Sequence, residues 1–274
     1  MGVSQFKMNK IIYFLLLIIT HSLYAQNLRI SYNYKFVQDS LDINTISNEL
    51  VLLDITENGS IFYSRPQYLN DSMAFYTNKT NTIQSKIDFS VKKDLSYTTY
   101  VNSQIGNINY TFQEKDDLKW KISSEKKQIL GYNAQKATLK FGGRNWIAWF
   151  SNDLPIQDGP YIFHGLPGLI LSIEDEKKYH LFNVIGLEKR EVPFEIEKLS
   201  KKIISKKEFN KQWHIYKIDP NATLRALSSS TNTKFSIEWN GEKLNQNEIY
   251  KREEERAKKE ILYKNNFLDL NLYK

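Results

Sequence analysis

The chain has no cysteine among its 274 residues. That one absence removes disulfides, thiol nucleophiles and thiolate metal sites together, so the fold must be held by its core. Histidine is scarce too, with four in all. His164, His180 and His214 show no H-x-x-x-H or H-E-x-x-H spacing, which leaves a zinc site unsupported. No G-x-S-x-G elbow, P-loop or G-x-G-x-x-G run occurs, and no cofactor is indicated. The 38 Lys and Arg outnumber the 31 Asp and Glu, but they are spread along the chain without an arginine cluster. That distribution argues against nucleic acid as a partner.

Long apolar runs are missing except at the start. Lys7 and Lys10 precede the stretch Ile11 to Ile19, and His21 to Ala25 lead to Gln26. A basic flank, a short apolar run and a following Ala describe a signal peptide with cleavage after Ala25. The run falls short of the roughly 20 apolar residues that a membrane span needs. With no cysteine behind it, lipoprotein anchoring is excluded. The expectation is residues 1–25 as signal peptide and 26–274 as a single β-rich domain, exported to the periplasm or beyond, with no integral membrane segment after cleavage. The mature chain would carry 249 residues and a formal charge of +5 instead of +7.

Glycine and proline number only 11 and six, yet three and two of them fall within Gly159 to Leu171, G-P-Y-I-F-H-G-L-P-G-L-I-L. Pro160 and Pro167 fix their own φ and push the preceding residue toward extended conformations, while the glycines are free to take φ > 0. Tyr161, Ile162, Phe163 and the run Leu169-Ile170-Leu171 make this loop too apolar to lie in solvent. It reads as a folded-in loop that feeds a buried strand.

Most of the remainder alternates with period two, the mark of antiparallel sheet with one wet face. Leu28, Ile30, Tyr32, Tyr34 and Phe36 share one face. Similar alternation marks Ile87–Val91, Ile108–Phe112, Leu118–Ile122 and Ala137–Phe141. Asn48–Ile55 is apolar on both faces. Glu57-Asn58-Gly59, Gly142-Gly143 and Asn240-Gly241 are hairpin turns, and Phe235, Ile237 and Trp239 alternate before the last of them. Residues 65–85 lack a period and read as a loop with at most a helical turn. Ser205 followed by Glu208 predicts a capped helix bearing Phe209, Trp213 and Tyr216 on one face. Residues 245–265 predict a second helix, charged and resting on the surface, with Glu254 and Lys258 among its i, i+4 pairs.

Candidate site residues cluster around the constrained loop. His164 lies within it, and Asp153, Asp158 and Arg144 are near in sequence. An acid–base pair of His164 with Asp158 or Asp153 is one reading; a plain loop histidine is the other. Arg144 is expected to pair with Asp153 or Asp158, or else to capture an anion. Trp146 and Trp149 fall on opposite faces of one strand, so that one packs inward and the other could stack on a ligand. Tyr161 and Phe163 complete the set. His180 and His214 read as structural or exposed.

The run G-Y-x-x-Q-K-A-T at Gly131–Thr138 is followed by G-R at Gly143–Arg144 and A-W at Ala148–Trp149. P-I at Pro155–Ile156, G-P at Gly159–Pro160 and G-L-P-G-L-I at Gly165–Ile170 complete the series. In this order and spacing the segment resembles the GLPGLI family of exported Bacteroidetes proteins. Two positions depart from the family: Ala134 stands where cysteine is common, and Tyr161 where Trp is usual. The resemblance implies export from a Gram-negative cell and carries no catalytic residues, because the family has no established activity.

The expected fold is mainly β: one strongly curved antiparallel sheet, similar to the half-barrel of periplasmic lipoprotein carriers, with one packed helix and a charged C-terminal helix. The expected function is a non-enzymatic binding or accessory protein for an apolar ligand, a peptide or an envelope partner. A hydrolase using His164 with Asp158 or Asp153, and a purely structural exported protein, are the alternatives. Mass spectrometry of the protein recovered from the periplasm of an expressing cell should find Gln26 at its N-terminus; retention of residues 1–25 would remove the export reading.

Overall fold

In the computed structural model the residues described are 27–79, 82–115, 117–190, 202–231, 236–239 and 241–274. The expected signal segment and Phe235 lie outside them. Fourteen strands and four helices are present among these residues. The strands are β1 (Leu28–Asp39), β2 (Asp42–Thr56), β3 (Gly59–Ser64), β4 (Phe89–Lys93), β5 (Thr99–Ile105), β6 (Ile108–Glu114) and β7 (Lys121–Ile129). They continue with β8 (Tyr132–Phe141), β9 (Arg144–Ser151), β10 (Leu169–Asp175), β11 (His180–Lys189), β12 (Ile203–Ile204), β13 (Ile237–Trp239) and β14 (Glu242–Leu244). The helices are α1 (Arg65–Thr77), α2 (Lys206–Ile218), α3 (Ala222–Thr231) and α4 (Gln246–Tyr263).

Twelve strands form one open sheet in the order β12-β6-β5-β4-β3-β2-β1-β11-β10-β9-β8-β7, and β13-β14 make a separate hairpin. The pairings are antiparallel except that of β12 with β6. The alternating residues of β1 do what their period requires, with Ile30, Tyr32, Tyr34 and Phe36 buried. The sheet curls strongly, and one side chain shows it. Lys206 at the start of α2 bonds Glu114 of β6 at 2.8 Å and also lies over the ring of Phe141 in β8, 5.8 Å from its centroid. Those strands are nine places apart in the order. A flat sheet at about 4.8 Å per strand would hold them roughly 43 Å apart.

The 159–171 segment is clamped against the inside of this curl. Tyr161, Ile162, Phe163, Leu166, Leu169, Ile170 and Leu171 are all buried. Phe163 packs on Trp146, Trp120, Phe141 and Tyr161, a burial that stabilises by about 2–3 kcal/mol. Its backbone groups are satisfied by turns: Phe163 N–H donates to Pro160 O at 3.1 Å and Ile170 N–H to Asp158 O at 3.0 Å. Three distant side chains tie it down. Tyr32 hydroxyl donates to Ile170 O at 2.8 Å, Trp120 Nε1 to His164 O at 2.8 Å, and Lys93 Nζ to Gly159 O at 2.9 Å.

Several elements differ from the sequence expectation. Residues 65–77 form the helix α1 rather than a loop. Ser64 caps it, accepting from Gln67 N–H at 3.1 Å, and a proline stands in its first turn. No residue along it is buried, so it carries no apolar stripe to read. β5 and α3 escaped the reading. Leu118 and Trp120 precede β7 as irregular chain packed on the core, and Ile122 is half exposed. The capped helix α2 buries Phe209, Trp213 and Tyr216 as expected, and Glu254 meets Lys258 at 2.7 Å on α4.

Gly168 cannot carry a side chain, because a Cβ there would sit 2.1 Å from Ser151 O. At Gly165 the difficulty is conformational: φ is +85°, with nothing within 4 Å. Gly168→Ala should therefore cost about 3 kcal/mol and Gly165→Ala about 1–2 kcal/mol in urea unfolding; equal costs would contradict the close backbone approach at Gly168.

Candidate functional site

A cleft of about 80 Å³ opens where the concave face of the sheet meets residues 264–273. The sheet supplies Tyr34 and Phe36 from β1, Phe89 from β4, Val101 and Ser103 from β5, and His180 from β11. The pairing explains their meeting: Phe36 faces His180 across β1 and β11, and Phe89 faces Ser103 across β4 and β5. The loop contributes Tyr161, and the chain after α4 covers the site with Asn266, Phe267, Leu268, Leu272 and Tyr273. Phe267 and Tyr273 stack at 3.8 Å, and Tyr273 hydroxyl meets Ser103 Oγ at 3.0 Å. Lys86, Asp88 and Lys264 stand exposed at the rim.

Arg144 holds the cover in place. Its guanidinium donates to Phe267 O at 3.0 and 2.7 Å, to Asn266 Oδ1 at 2.5 Å and to Asp175 Oδ2 at 3.0 Å. Asn266 Nδ2 then donates to Val37 O at 2.9 Å, and Leu270 N–H to Gly142 O at 2.8 Å. Burial pulls the Arg144 pKa down, and Asp175 pushes it back up. The side chain is 4% exposed, so this is a buried structural ion pair, with Asp175 as partner in place of the expected Asp153 or Asp158.

His180 is the polar centre of the cleft and is 2% exposed. Its backbone N–H donates to Asp175 Oδ1 at 2.8 Å, and its Nδ1 lies 2.7 Å from Tyr34 hydroxyl. Burial, and then the charge of Arg144, hold its pKa well below the ordinary 6.5, while burial raises that of Tyr34 well above 10. Both groups are neutral. The Tyr34 hydroxyl has no other hydrogen-bond partner among the described residues, so donation to Nδ1 leaves the fewest groups unpaired. The proton of the imidazole then sits on Nε2, which has no partner within hydrogen-bond geometry. The Asn266 backbone nudges the pKa upward without closing such a bond.

The sequence candidates are scattered. Tyr161 lines the cleft, buried, in a left-handed conformation with φ +54°, a strained state for a bulky residue. Phe163 is core. Trp149 is half-buried with Lys127 Nζ 4.1 Å over its ring, and lies outside the cleft lining. Asp158 is buried against Lys93 and also accepts from Gly159 N–H at 2.7 Å. Asp153 is exposed and accepts from Asn133 N–H at 2.9 Å. His164 stacks on Tyr97 at 4.9 Å. Among the described residues no hydrogen bond joins its ring to either carboxylate, so the structure does not assemble the His164 dyad. His180, read as structural or exposed, is buried and hydrogen-bonded, and it lies in the cleft lining. The covering segment went unread, although Leu268, Leu270 and Leu272 alternate and Phe267 and Tyr273 flank them.

Among the described residues no cluster of three or more His, Asp or Glu could hold a metal ion. No helix among them is long and apolar enough to cross a membrane.

A family model described as a protein of unknown function (Porph_ging) matches residues 142–172, from the β8–β9 turn into β10. The match is consistent with a Bacteroidetes-associated family of unknown function. No curated protein matches the chain. Two crystal structures of PNGF-II, in the P21 and C2 space groups, each align with a TM-score of 0.48 and 16% identity. Each alignment covers 66% of this chain and 31% of the PNGF-II chain.

Burial, then the ammonium of Lys93, lower the His164 pKa to about 4, against an opposing pull from Asp158. As pH falls from 6.5 toward 4, the unfolded chain takes a proton that the folded one refuses, and stability declines over that window. In urea titrations at about pH 7 and about pH 4.5, His164→Asn should lose less stability than the parent chain; parallel losses would show that His164 does not contribute.

Proposed function

We propose that this chain is an exported, non-enzymatic binding protein of the cell envelope that takes a small apolar group into the cleft between the concave sheet and residues 264–273. The observation that carries this reading is the cleft itself. It is ringed by aromatic side chains and held open under a cover that Arg144 fixes from 122 and 123 residues away. At about 80 Å³ it lies below the roughly 300–1,000 Å³ of sites for drug-sized ligands. Its occupant is therefore a single side chain of a peptide or envelope partner, or a small molecule of similar bulk. Export rests on the signal-like residues 1–25, and membership of the GLPGLI family on the motif series from Gly131 to Ile170.

The hydrolase reading has no observation in its favour, since Asp158 is committed to Lys93 and His164 to Tyr97. A purely structural role leaves the cleft without use.

Toluene, added to the full chain and followed by NMR, should shift resonances of Val101, Phe89 and Leu272. Val101→Phe, which fills the cleft, should weaken that binding by about tenfold, or about 1.4 kcal/mol, while the protein stays folded. Shifts that are absent, or that Val101→Phe leaves untouched, would remove the binding role.

A further inference from the structure

We infer that the group received by the cleft is a neutral aromatic ring bearing an oxygen, of the phenol or aryl-carbonyl type, recognised through His180 Nε2–H and the Tyr161 hydroxyl. This deepens the binding role proposed above and rests on it.

Three observations lead here. First, the walls are mostly rings: Tyr34, Phe36, Phe89, Tyr161, Phe267 and Tyr273. A ring-shaped occupant fits such walls edge-to-face or offset.

Second, the cleft holds polar capacity that the protein does not use. His180 Nε2 is buried with no hydrogen-bond partner. Buried donors are nearly always satisfied, and an orphan is destabilising. The Tyr34 contact on Nδ1 leaves Nε2 carrying the proton, and the Asn266 backbone near the ring lies outside hydrogen-bond geometry, so a well-placed acceptor is missing. Tyr161 stands in the same lining, its hydroxyl also without a hydrogen bond among the described residues, on a backbone held at φ +54°. Strain of this kind is kept where surroundings impose it, and here it presents the tyrosine to the cleft.

Third, the charges exclude an ionised ligand from the interior. The cations Lys86 and Lys264 and the anion Asp88 sit exposed at the rim. The buried Asp269 is paired with Lys206 at 3.2 Å. Arg144 is taken up by Asp175, Asn266 and Phe267. Among the described residues, a carboxylate placed inside would meet a neutral imidazole, with Lys86 and Lys264 out at the solvent-exposed rim, and its desolvation would be poorly compensated.

The test compares toluene, phenol and benzoate as probes of the full chain by NMR titration. Phenol should bind about three- to tenfold more tightly than toluene, the range of one net hydrogen bond, and benzoate no better than toluene. Tyr161→Phe and His180→Phe should each bring the ratio of phenol to toluene affinity toward one. If His180→Phe fails to fold, Tyr161→Phe alone decides. Equal affinities for toluene and phenol in the parent chain would overturn the inference and leave the binding role standing. So would a phenol preference that survives the substitutions. Failure of all three probes to bind would overturn both.

Discussion

Lys93 is the group on which the arrangement of the loop depends. It is 1% exposed, and an ammonium so placed costs several kcal/mol unless its charge and donors are met. Asp158 meets the charge, and the carbonyls of Gly159 and Phe163, at 2.9 and 3.5 Å, face the remaining donors. Burial pulls the ammonium pKa down and Asp158 pushes it back. A buried pair of this kind is a weak source of stability compared with apolar packing. Its consequence here is positional, because one lysine on β4 defines where the 158–163 backbone can lie. From that placement follow the seating of Phe163 in the core and of Tyr161 at the cleft.

A second buried cation does the same for the end of the chain. Arg144 anchors Asn266 and Phe267, and its partner Asp175 uses the other carboxylate oxygen to hold the His180 backbone. The cover of the cleft and its histidine are thus tied to one carboxylate. The Arg144 charge also helps keep the His180 ring neutral. A change that loosened the cover would alter the ring's environment at the same time, so cover and polar centre form one unit.

The sheet was legible from the sequence because period-two alternation is a local signal: β1, β8 and β9 with their Gly142-Gly143 turn lie where the pattern put them. The 159–171 segment was legible for a different reason, since prolines, glycines and apolar residues packed so closely have few conformations open to them. α1 was not, because a helix with no buried face leaves no period. The cleft was least legible. Tyr34 and His180 are 146 residues apart and Arg144 and Phe267 123 apart, and single-chain periodicity says nothing about which distant polar groups will meet. Proximity along the chain even pointed the wrong way, toward Asp153 and Asp158 as partners of Arg144.

An open sheet that curls this far must manage its two edges. At one end β12 is only two residues long, and at the other β7 is largely exposed, bears Lys121, Lys126 and Lys127, and shifts register between Ile122 and Lys126. Short length, lysines and an irregularity all discourage pairing with another chain. They do not fill the space between the sheet's two wings. α2 and residues 266–273 do, through Trp213 Nε1 donating to Tyr273 O at 3.1 Å and Lys206 reaching Glu114 and Asp269. The filling stops short at the concave surface of β1, β4, β5 and β11, whose side chains line the cleft together with those of the cover. The cleft is that remainder. Rings bound it on both sides, and His180 Nε2 is left without a hydrogen-bond partner within it, so incomplete filling and unused hydrogen-bonding capacity coincide at one place.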